Sequence, residues 1–390
     1  MKITGIHTYI LKVPLGEQRF YSSQCAFPER NSMLVKIETD EGIYGWGEGG
    51  QYGPAEPVKC VIDTILAPIL KGRDPMDKGI LWDEMYQSTR DFGQKGTYIE
   101  AISAVDIALW DICGKALGVP VYKLLGGKKR NFVPCYATGC YYRGEDVLDF
   151  KTALPKLQKE AESYVEAGFE MLKIKVGLLS VEDDAKRVSA IREAVGESVK
   201  LFCDCNHSYN AYTAIRMAKY LEENQVLFME EPVVPEDFEG YCRVRSATKI
   251  AVAGGECEYT AFGFKRYIER GCIDIAQPDI CVSGGLTEFQ RIAAVAGVYG
   301  TAVIPHVWGS GVAIAAALAA IAAMPLFPHT ANPVPFQNEP MMEYDRNPNP
   351  LRDELLVENF ELKDRKVKVP DKEGLGIDID DKVLEKYRVL

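Results

Sequence analysis

The sequence predicts an α/β fold, a barrel of parallel strands and alternating helices, preceded by an α+β module. Three observations carry this prediction. Polar residues recur at intervals of roughly 23 to 29 positions, close to the roughly 30 residues of one strand-plus-helix unit. Each of these polar residues closes a short apolar run typical of a buried strand. Stretches with helical periodicity separate the runs. The chain has 390 residues, so a barrel of about 250 leaves room for a second module.

The first 130 residues are predicted to form the α+β module. Residues 1–48 alternate like an antiparallel sheet, with a turn at 40–42. Helical periodicity then covers 58–70, 76–89 and 97–117, which predicts three helices. A barrel domain over 131–345 and a C-terminal segment over 346–390 follow.

Six apolar runs predict barrel strands, at 171–175, 199–204, 226–230, 250–256, 273–279 and 302–306. Intervening helices are predicted at 182–195, 211–224, 261–270 and 286–299. The alanine-rich stretch 312–324 is too short to span a bilayer and suits a helix packed on the barrel. Because the carboxyl ends of parallel barrel strands converge on one face, the six polar strand ends are expected to line one pocket.

Three of the strand-end residues are carboxylates from consecutive strands, Asp204, Glu230 and Glu256. An all-oxygen set of this kind suits a hard divalent cation such as Mg²⁺ and leaves coordination positions open for water and substrate. No histidine stands next to a ligand at the spacing of a zinc site. His207 lies just after the predicted strand at 199–204 and is either a supporting residue of the site or a surface residue. The sequence therefore predicts a magnesium site.

Two further strand ends carry groups that transfer protons. Lys173 and Lys175 are one residue apart, so both side chains point to the same face of their strand. We expect the pKa of these ammonium groups to be lowered by each other and by a nearby cation. On the far side, Asp279 is expected to hold one nitrogen of His306, which raises the basicity of the other. Lysine and histidine would flank a substrate held by the metal, an arrangement suited to removing a proton next to a carboxylate.

Composition limits the partners and the compartment. The net charge of −11 disfavours nucleic acid, which requires a basic patch. Eleven cysteines lack CxxC pairs with zinc spacing, which favours reduced thiols in a cytoplasmic protein. We find no signal peptide or membrane span. The expected partner is an anionic small molecule.

The strand-end motifs resemble those of the enolase superfamily, mandelate racemase subgroup. The motifs are Lys173-Ile-Lys175, Asp204-Cys-Asn206, Glu230-Glu-Pro232, Gly255-Glu256, Gln277-Pro-Asp279 and Pro305-His306. The resemblance extends over almost the whole chain, including Gly45-Trp-Gly-Glu48 and Gly374-Leu-Gly-Ile377. It implies a (β/α)7β modified TIM barrel with an N-terminal α+β capping domain that the C-terminal segment completes.

The resemblance also implies roles for single residues. The three carboxylates would bind Mg²⁺, Lys175 and His306 would be the acid/base pair, Lys173 would stand near the substrate carboxylate, and Asp279 would orient His306. Glu343 at the eighth strand end would donate a hydrogen bond to a carboxylate oxygen, with Glu339 as its competitor. Asn206 would contact a substrate hydroxyl, and Trp308 either lines the pocket or packs under the last helix. The loops 16–27 and 49–53, with Tyr21 and Tyr52, would set specificity.

Several functions fit this resemblance. Within the subgroup, Tyr136-Ala-Thr-Gly139, the stretch 231–236, Pro305-His-Val-Trp-Gly309 and Met342-Glu-Tyr-Asp345 most resemble enzymes that open sugar-acid lactones by β-elimination. An acid-sugar dehydratase and a racemase or epimerase remain open on the same residues. A silent binding barrel is disfavoured by the intact Lys, Asp and His positions. An amidohydrolase-like barrel lacks its His-x-His pair, since Tyr136-Ala-Thr138 stands there. A homo-oligomer, from dimer to octamer, is expected.

Overall fold

The computed structural model describes residues 1–50, 53–144, 146 and 149–389. The chain opens with an antiparallel sheet of order β1 (Ile3–Pro14), β4 (Glu29–Thr39) and β5 (Tyr44–Gly49). The short strands β2 (Phe20–Tyr21) and β3 (Ala26–Phe27) form a separate ribbon. The turn predicted at 40–42 joins β4 to β5, where the Thr39 N–H donates to the Ile43 carbonyl at 3.0 Å.

Among the described residues, five α-helices follow this sheet before the barrel, and the first four share an apolar core with one of its faces. They are α1 (Glu56–Val61), α2 (Ala67–Leu70), α3 (Lys78–Thr89), α4 (Thr97–Ala116) and α5 (Val121–Leu124). A π-helical turn at Ile62–Leu66 joins α1 to α2, so the helix predicted over 58–70 is continuous but widened in its middle. A Cβ at Gly45 or Gly47 would clash with the backbone carbonyls of α4. These glycines therefore let the helix lie directly on β5.

The barrel alternates strands and helices along the chain. Its elements are β6 (Phe132–Thr138), α6 (Phe150–Glu166), β7 (Met171–Lys175), α7 (Val181–Val195), β8 (Lys200–Asp204), α8 (Ala211–Glu223), β9 (Val226–Glu230), α9 (Phe238–Ala247), β10 (Ala251–Gly254), α10 (Thr260–Glu269), β11 (Ile275–Ala276), α11 (Gly285–Tyr299), β12 (Ala302–Val303), α12 (Gly311–Ala323) and β13 (Met342–Asp345). The strands run parallel in the order β13, β6, β7, β8, β9, β10, β11, β12. This pattern confirms the predicted (β/α)7β barrel with an N-terminal α+β domain.

The C-terminal segment contacts both parts of the molecule. It contains α13 (Pro350–Asp353), β14 (Leu362–Lys363), β15 (Lys366–Lys368) and α14 (Asp381–Tyr387). Strand β15 pairs antiparallel with β6 of the barrel, and the Val389 N–H donates to the Ile10 carbonyl in β1 at 2.9 Å. The pairing with β6 was not indicated by the sequence pattern. The limits at 130/131 and 345/346 stay predictions.

Stacked aromatic rings from three barrel strands fill part of the barrel interior. Phe202 and Phe228 stack with their centroids 4.3 Å apart, and Tyr136 meets Phe202 edge-on at 5.4 Å. Phe336 packs against both phenylalanines. Inward residues of this kind fill a small barrel as a core rather than a pore.

Within the described residues, none of the helices combines the length and the apolar character that crossing a bilayer requires.

Two buried carboxylates of the N-terminal domain bind the first turns of barrel helices. Glu48 in β5 accepts from the Ser310 N–H at 3.0 Å, the Ser310 hydroxyl at 2.6 Å and the Ala313 N–H at 3.0 Å, at the start of α12. Asp106 in α4 accepts from the Thr287 N–H at 2.9 Å and its hydroxyl at 2.6 Å, at the start of α11. Free N–H groups and the helix dipole both favour an anion at this end. We call Glu48 and Asp106 the docking carboxylates.

The docking carboxylate Asp106 makes stability depend on pH. Burial raises the pKa of Asp106 to about 7, whereas in the unfolded chain the group ionises near pH 3.9. Between these values the folded protein holds a proton that the unfolded chain releases, so stability is highest at the acid end and falls as pH rises toward 7. We expect the stability of wild type relative to Asp106→Asn to fall by about 1.4 kcal/mol per pH unit between pH 5 and 7. Urea unfolding at each pH measures this difference.

The matched control is Asp91→Asn, because the Asp91 side chain is 90% exposed. Its stability relative to wild type should not change across the same pH range. A flat difference for Asp106→Asn as well would contradict the raised pKa of Asp106.

Candidate active site

The three predicted metal ligands meet at one end of the barrel. Asp204 ends β8, Glu230 ends β9, and Glu256 follows β10 after one residue. One oxygen of each lies within 4.8 Å of the others, and all three residues are buried. Three close carboxylates repel one another unless positive charge lies between them. This oxygen set therefore fits a divalent cation.

Both predicted lysines contact these carboxylates. Lys173 Nζ lies 2.8 and 2.9 Å from the two oxygens of Glu230 and 2.8 Å from Glu343 Oε1, and Lys175 Nζ donates to Asp204 Oδ2. The expected lowering of their pKa refers to lysines beside a bound cation and stays a prediction. Burial favours the neutral amines, but the surrounding carboxylates outweigh it and raise the pKa of both lysines well above the usual value. In this arrangement both lysines are charged.

His306 lies at the other end of the ligand set. Its Nδ1 lies 2.7 Å from Asp279 Oδ2, as predicted from the sequence, and its Nε2 lies 3.4 Å from Glu256 Oε2. Burial opposes the imidazolium, but the negative charges of Glu256, Glu343 and Asp279 raise the pKa of His306 to about 9. The strands of the three ligands lie between β7, which carries Lys175, and β11 and β12. Lys175 and His306 therefore contact opposite ends of the ligand set.

Glu343 takes part in the site, but as an acceptor. It accepts from the Thr138 hydroxyl at 2.5 Å and from the Val307 N–H at 3.3 Å. Burial would raise its pKa, but Lys173 and His306 lower it. The lowered pKa favours the ionised carboxylate here, and the expected donation of a hydrogen bond to a substrate carboxylate stays a prediction. Its competitor Glu339 lies elsewhere, beside the start of β12, because the chain loops back before β13.

The N-terminal domain closes over the site through the segment between β2 and β3. Ser23 Oγ donates to the Cys205 carbonyl at 2.9 Å, and Gln24 Nε2 donates to the Asn206 carbonyl at 2.5 Å. Both carbonyls directly follow Asp204. Two side chains of the predicted specificity loop 16–27 thus contact backbone carbonyls that follow the strand of Asp204. Sequence reasoning missed Gln24, since its partners are carbonyls that no side-chain pattern reveals.

Four aromatic side chains pack above Lys175. Trp308, Phe20, Phe27 and Tyr141 contact one another with ring centroids 4.8 to 6.1 Å apart, and Lys175 Nζ lies 4.8 Å from the Tyr141 ring centroid. Trp308 also lines the cavity that contains Asn206 and Glu256, which is the first of the two positions expected for it. Its ring contacts are with this cluster, and among the described residues the expected packing under the last helix is not observed. The cluster shields the lysine from bulk water on that side.

The remaining substrate-binding predictions have mixed outcomes. Asn206 lines the cavity next to the metal ligands. Tyr21 pairs through its backbone with Tyr142 and is not among the described residues that line the cavity. Tyr52 lies outside the described residues. The cavity is lined instead by Gln24 and by Arg30 and Asn31 of β4, which a strand-end pattern does not select.

A second group of side chains that could bind a metal comes from residues that closely follow the three ligands in the sequence. His207 Nε2 is 3.0 Å from Glu231 Oε2, and Cys257 lies close to both. Asn206, His207 and Glu231 have φ angles between +41° and +62°, a conformation that costs non-glycine residues free energy and concentrates at functional sites.

All eleven cysteines are free, as the sequence predicts.

Known proteins share both the fold and the sequence of this chain. Residues 6–126 match the mandelate racemase/muconate lactonizing enzyme N-terminal domain, and residues 156–383 match the enolase C-terminal domain-like family. The D-galactarolactone cycloisomerase of Agrobacterium fabrum is 40% identical over 100% of this chain and 99% of its own length. The arabinonate dehydratase of Saccharolobus solfataricus is 38% identical over 91% of this chain and 90% of its own length.

A solved structure agrees with the sequence matches. The 3,6-anhydro-D-galactonate cycloisomerase from Zobellia galactanivorans superposes with a TM-score of 0.88 at 40% identity, covering 100% of both chains. Family members use a divalent metal, in keeping with the three converging carboxylates. The chain therefore belongs to the mandelate racemase/muconate lactonizing enzyme family, among the isomerases and lyases of the enolase superfamily.

Proposed function

We propose that this enzyme removes the proton α to the carboxylate of a sugar acid or its lactone and then eliminates the β oxygen. In the form we favour, the substrate is a lactone and its ring opens to a keto-deoxy acid, as the name of the 40% identical D-galactarolactone cycloisomerase suggests. One observation carries the proposal. Lys175 contacts Asp204 and His306 contacts Glu256, so two proton-transfer groups flank the ligand set.

The ligand set would hold Mg²⁺ through Asp204, Glu230 and Glu256. Bound there, Mg²⁺ would supply the positive charge that makes a proton next to a carboxylate removable. Lys173, which already carries a charge between Glu230 and Glu343, would add a second positive group near the substrate carboxylate. Oxygen-only ligands favour Mg²⁺ over zinc, which prefers nitrogen and sulfur.

Lys175 and His306 would divide the proton transfers. Without a cation, the surrounding carboxylates favour the protonated form of both groups. A bound Mg²⁺ would offset those negative charges, so that one of the two groups could be neutral and take the α proton. The carbon–hydrogen electron pair then forms a carbon–carbon double bond, and the bond to the β oxygen breaks with its electron pair on that oxygen. A lactone releases a ring carboxylate, which leaves without a proton. The resulting enol takes a proton on carbon and releases the proton of its hydroxyl to give the keto acid. Asp279 keeps the His306 ring in place, with Nδ1 toward Asp279 and Nε2 toward the ligand set.

A second candidate is an acid-sugar dehydratase, favoured by the 38% identity to an arabinonate dehydratase. Its leaving group is hydroxide, which requires protonation. His306 lies near Glu256 and is held by Asp279, so it suits the acid in this reaction. Racemisation or epimerisation uses the same pair without loss of the β oxygen.

Proton NMR in deuterated water tests the proposal. The enzyme with Mg²⁺ is incubated with aldonic acids, aldaric acids and their lactones. A deuterated keto acid from a lactone supports the cycloisomerase, and the same product only from open acids supports the dehydratase. Deuterium at the α carbon without elimination identifies a racemase or epimerase. Absence of exchange and of keto acid across the panel would contradict the proposed chemistry.

A further inference from the structure

One cavity of about 550 Å³ connects the metal ligands to the N-terminal domain. The barrel lines it with Asn206 and Glu256, which we call its inner end. The N-terminal domain and the C-terminal segment line it with Arg30, Asn31 and Asn349, which we call its outer end. This volume suits a small ligand. A sugar acid bound by its carboxylate at the ligand set would extend its other end toward the outer residues.

Arg30 is held rigidly at the outer end. Its Nη2 donates to Asp345, its Nε donates to the Pro348 carbonyl at 2.9 Å, and its guanidinium lies 4.4 Å from the Trp308 ring centroid. The side chain is 4% exposed. Among the described residues, its Nη1 has no hydrogen-bond partner. Arg30 therefore offers one fixed NH₂ group, without a partner in the described part of the chain, as a donor at this end.

Two amide side chains offer acceptors beside it. Asn31 Nδ2 donates to the Gly53 carbonyl at 3.1 Å, and Asn349 Nδ2 donates to the Gly309 carbonyl at 3.2 Å. Because each NH₂ group faces a carbonyl, the amide orientation is fixed and the oxygen is left over. Neither Oδ1 has a partner among the described residues. A buried polar atom without a partner costs free energy that a ligand would recover.

Charge at the outer end does not favour a second anion. Both cations that line it are already paired, Lys12 with Glu56 at 2.8 Å and Arg30 with Asp345. Glu29 lines the same end of the cavity and would repel a carboxylate. Amide oxygens also repel carboxylate oxygens, whereas a hydroxyl can donate to an amide oxygen and accept from an N–H.

We propose that Arg30, Asn31 and Asn349 form a subsite for the uncharged, hydroxyl-bearing end of the substrate. The inference rests on the proposed function and names its substrate class. Aldonic acids and sugar-acid lactones present such an end, whereas an open-chain aldaric acid presents a second carboxylate. The subsite therefore selects monocarboxylates with hydroxyl groups at the far end.

Binding without turnover tests this subsite separately from the proposed reaction. Dissociation constants are measured by calorimetry on the His306→Asn variant with Mg²⁺, using D-galactonate and galactarate. We expect galactonate to bind at least about tenfold more tightly. Asn349→Ala and Asn31→Ala, added singly, should each weaken galactonate binding about tenfold, the effect of one lost hydrogen bond. Glycolate, which lacks the far hydroxyls, should bind equally to all variants.

The glycolate control separates a lost contact from a damaged site. Galactarate binding as tightly as galactonate would overturn the subsite, as would an equal loss of glycolate and galactonate affinity in both asparagine variants. Failure of both sugar acids to bind would overturn it too. A galactonate preference that persists while no elimination is seen would instead support the subsite and contradict the proposed function.

Discussion

The His306→Asn variant is expected to lose turnover by about 10³-fold, within the 10² to 10⁴ that a positioned acid or base typically contributes. Asparagine has a similar volume but carries no titratable nitrogen. The imidazole lies 3.4 Å from Glu256 and 2.7 Å from Asp279, so the change removes the proton-transfer group at one end of the ligand set. Keto-acid formation from the best substrate of the NMR panel measures the loss.

His7→Asn is the matched control, since His7 is 50% exposed and its partner is Glu38 in the N-terminal sheet. It should retain wild-type turnover. Exchange in deuterated water then assigns the base. Exchange that continues in His306→Asn and stops in Lys175→Met identifies Lys175 as the base, and the reverse pattern identifies His306. Undiminished turnover in His306→Asn would show that this residue is not part of the acid/base pair.

Removing the metal is expected to abolish activity, and Glu256→Gln is expected to reproduce that loss. Glu256 is the best ligand to replace, because Asp204 and Glu230 also bind the two lysines. Mg²⁺ at 100 times its dissociation constant should stabilise the wild-type protein by about 2.7 kcal/mol. The variant should show almost none of this stabilisation. Thermal unfolding with EDTA and with Mg²⁺ measures it, and turnover is assayed in parallel.

Glu269→Gln serves as the control, because Glu269 is 52% exposed and pairs with Lys265 on the same helix. Its response to Mg²⁺ should equal that of wild type. An EDTA-treated enzyme that stays fully active would show that the proposed reaction needs no metal. Equal stabilisation of Glu256→Gln and wild type by Mg²⁺ would remove Glu256 from the ligand set.

The barrel was predictable because each of its repeats carries the same two signals. An apolar run of strand length ends in a polar residue, and an amphipathic helix follows. The structure places the residues of this pattern together, since Asp204, Glu230 and Glu256 converge within 4.8 Å and His306 meets Asp279 at 2.7 Å. Strand-end position alone is enough for that, because parallel strands in a barrel share one carboxyl face.

Residues selected by tertiary contacts rather than by period were harder to predict. Glu339 and Glu343 differ by four positions in a loop-rich stretch, and only the pairing of β13 with β6 decides which of them faces the site. Arg30 lies inside β4, where nothing in the local pattern distinguishes it from a solvated arginine. The raised pKa of the lysines depends on three carboxylates from other strands. These features come from packing between distant segments, which periodicity does not encode.

The docking carboxylates also affect how the two domains fold during synthesis of the chain. Glu48 and Asp106 belong to the part of the chain that is synthesised first, yet the helix ends that they bind appear only after residues 285 and 310. The N-terminal sheet in turn receives a backbone hydrogen bond from Val389, far along the chain from the sheet itself. Multidomain chains commonly fold one domain at a time during synthesis. Here the N-terminal sheet lacks one of its native hydrogen bonds until residue 389 has been added, and barrel strand β6 lacks its pairing with β15 until residue 368. The two domains therefore mature as one unit.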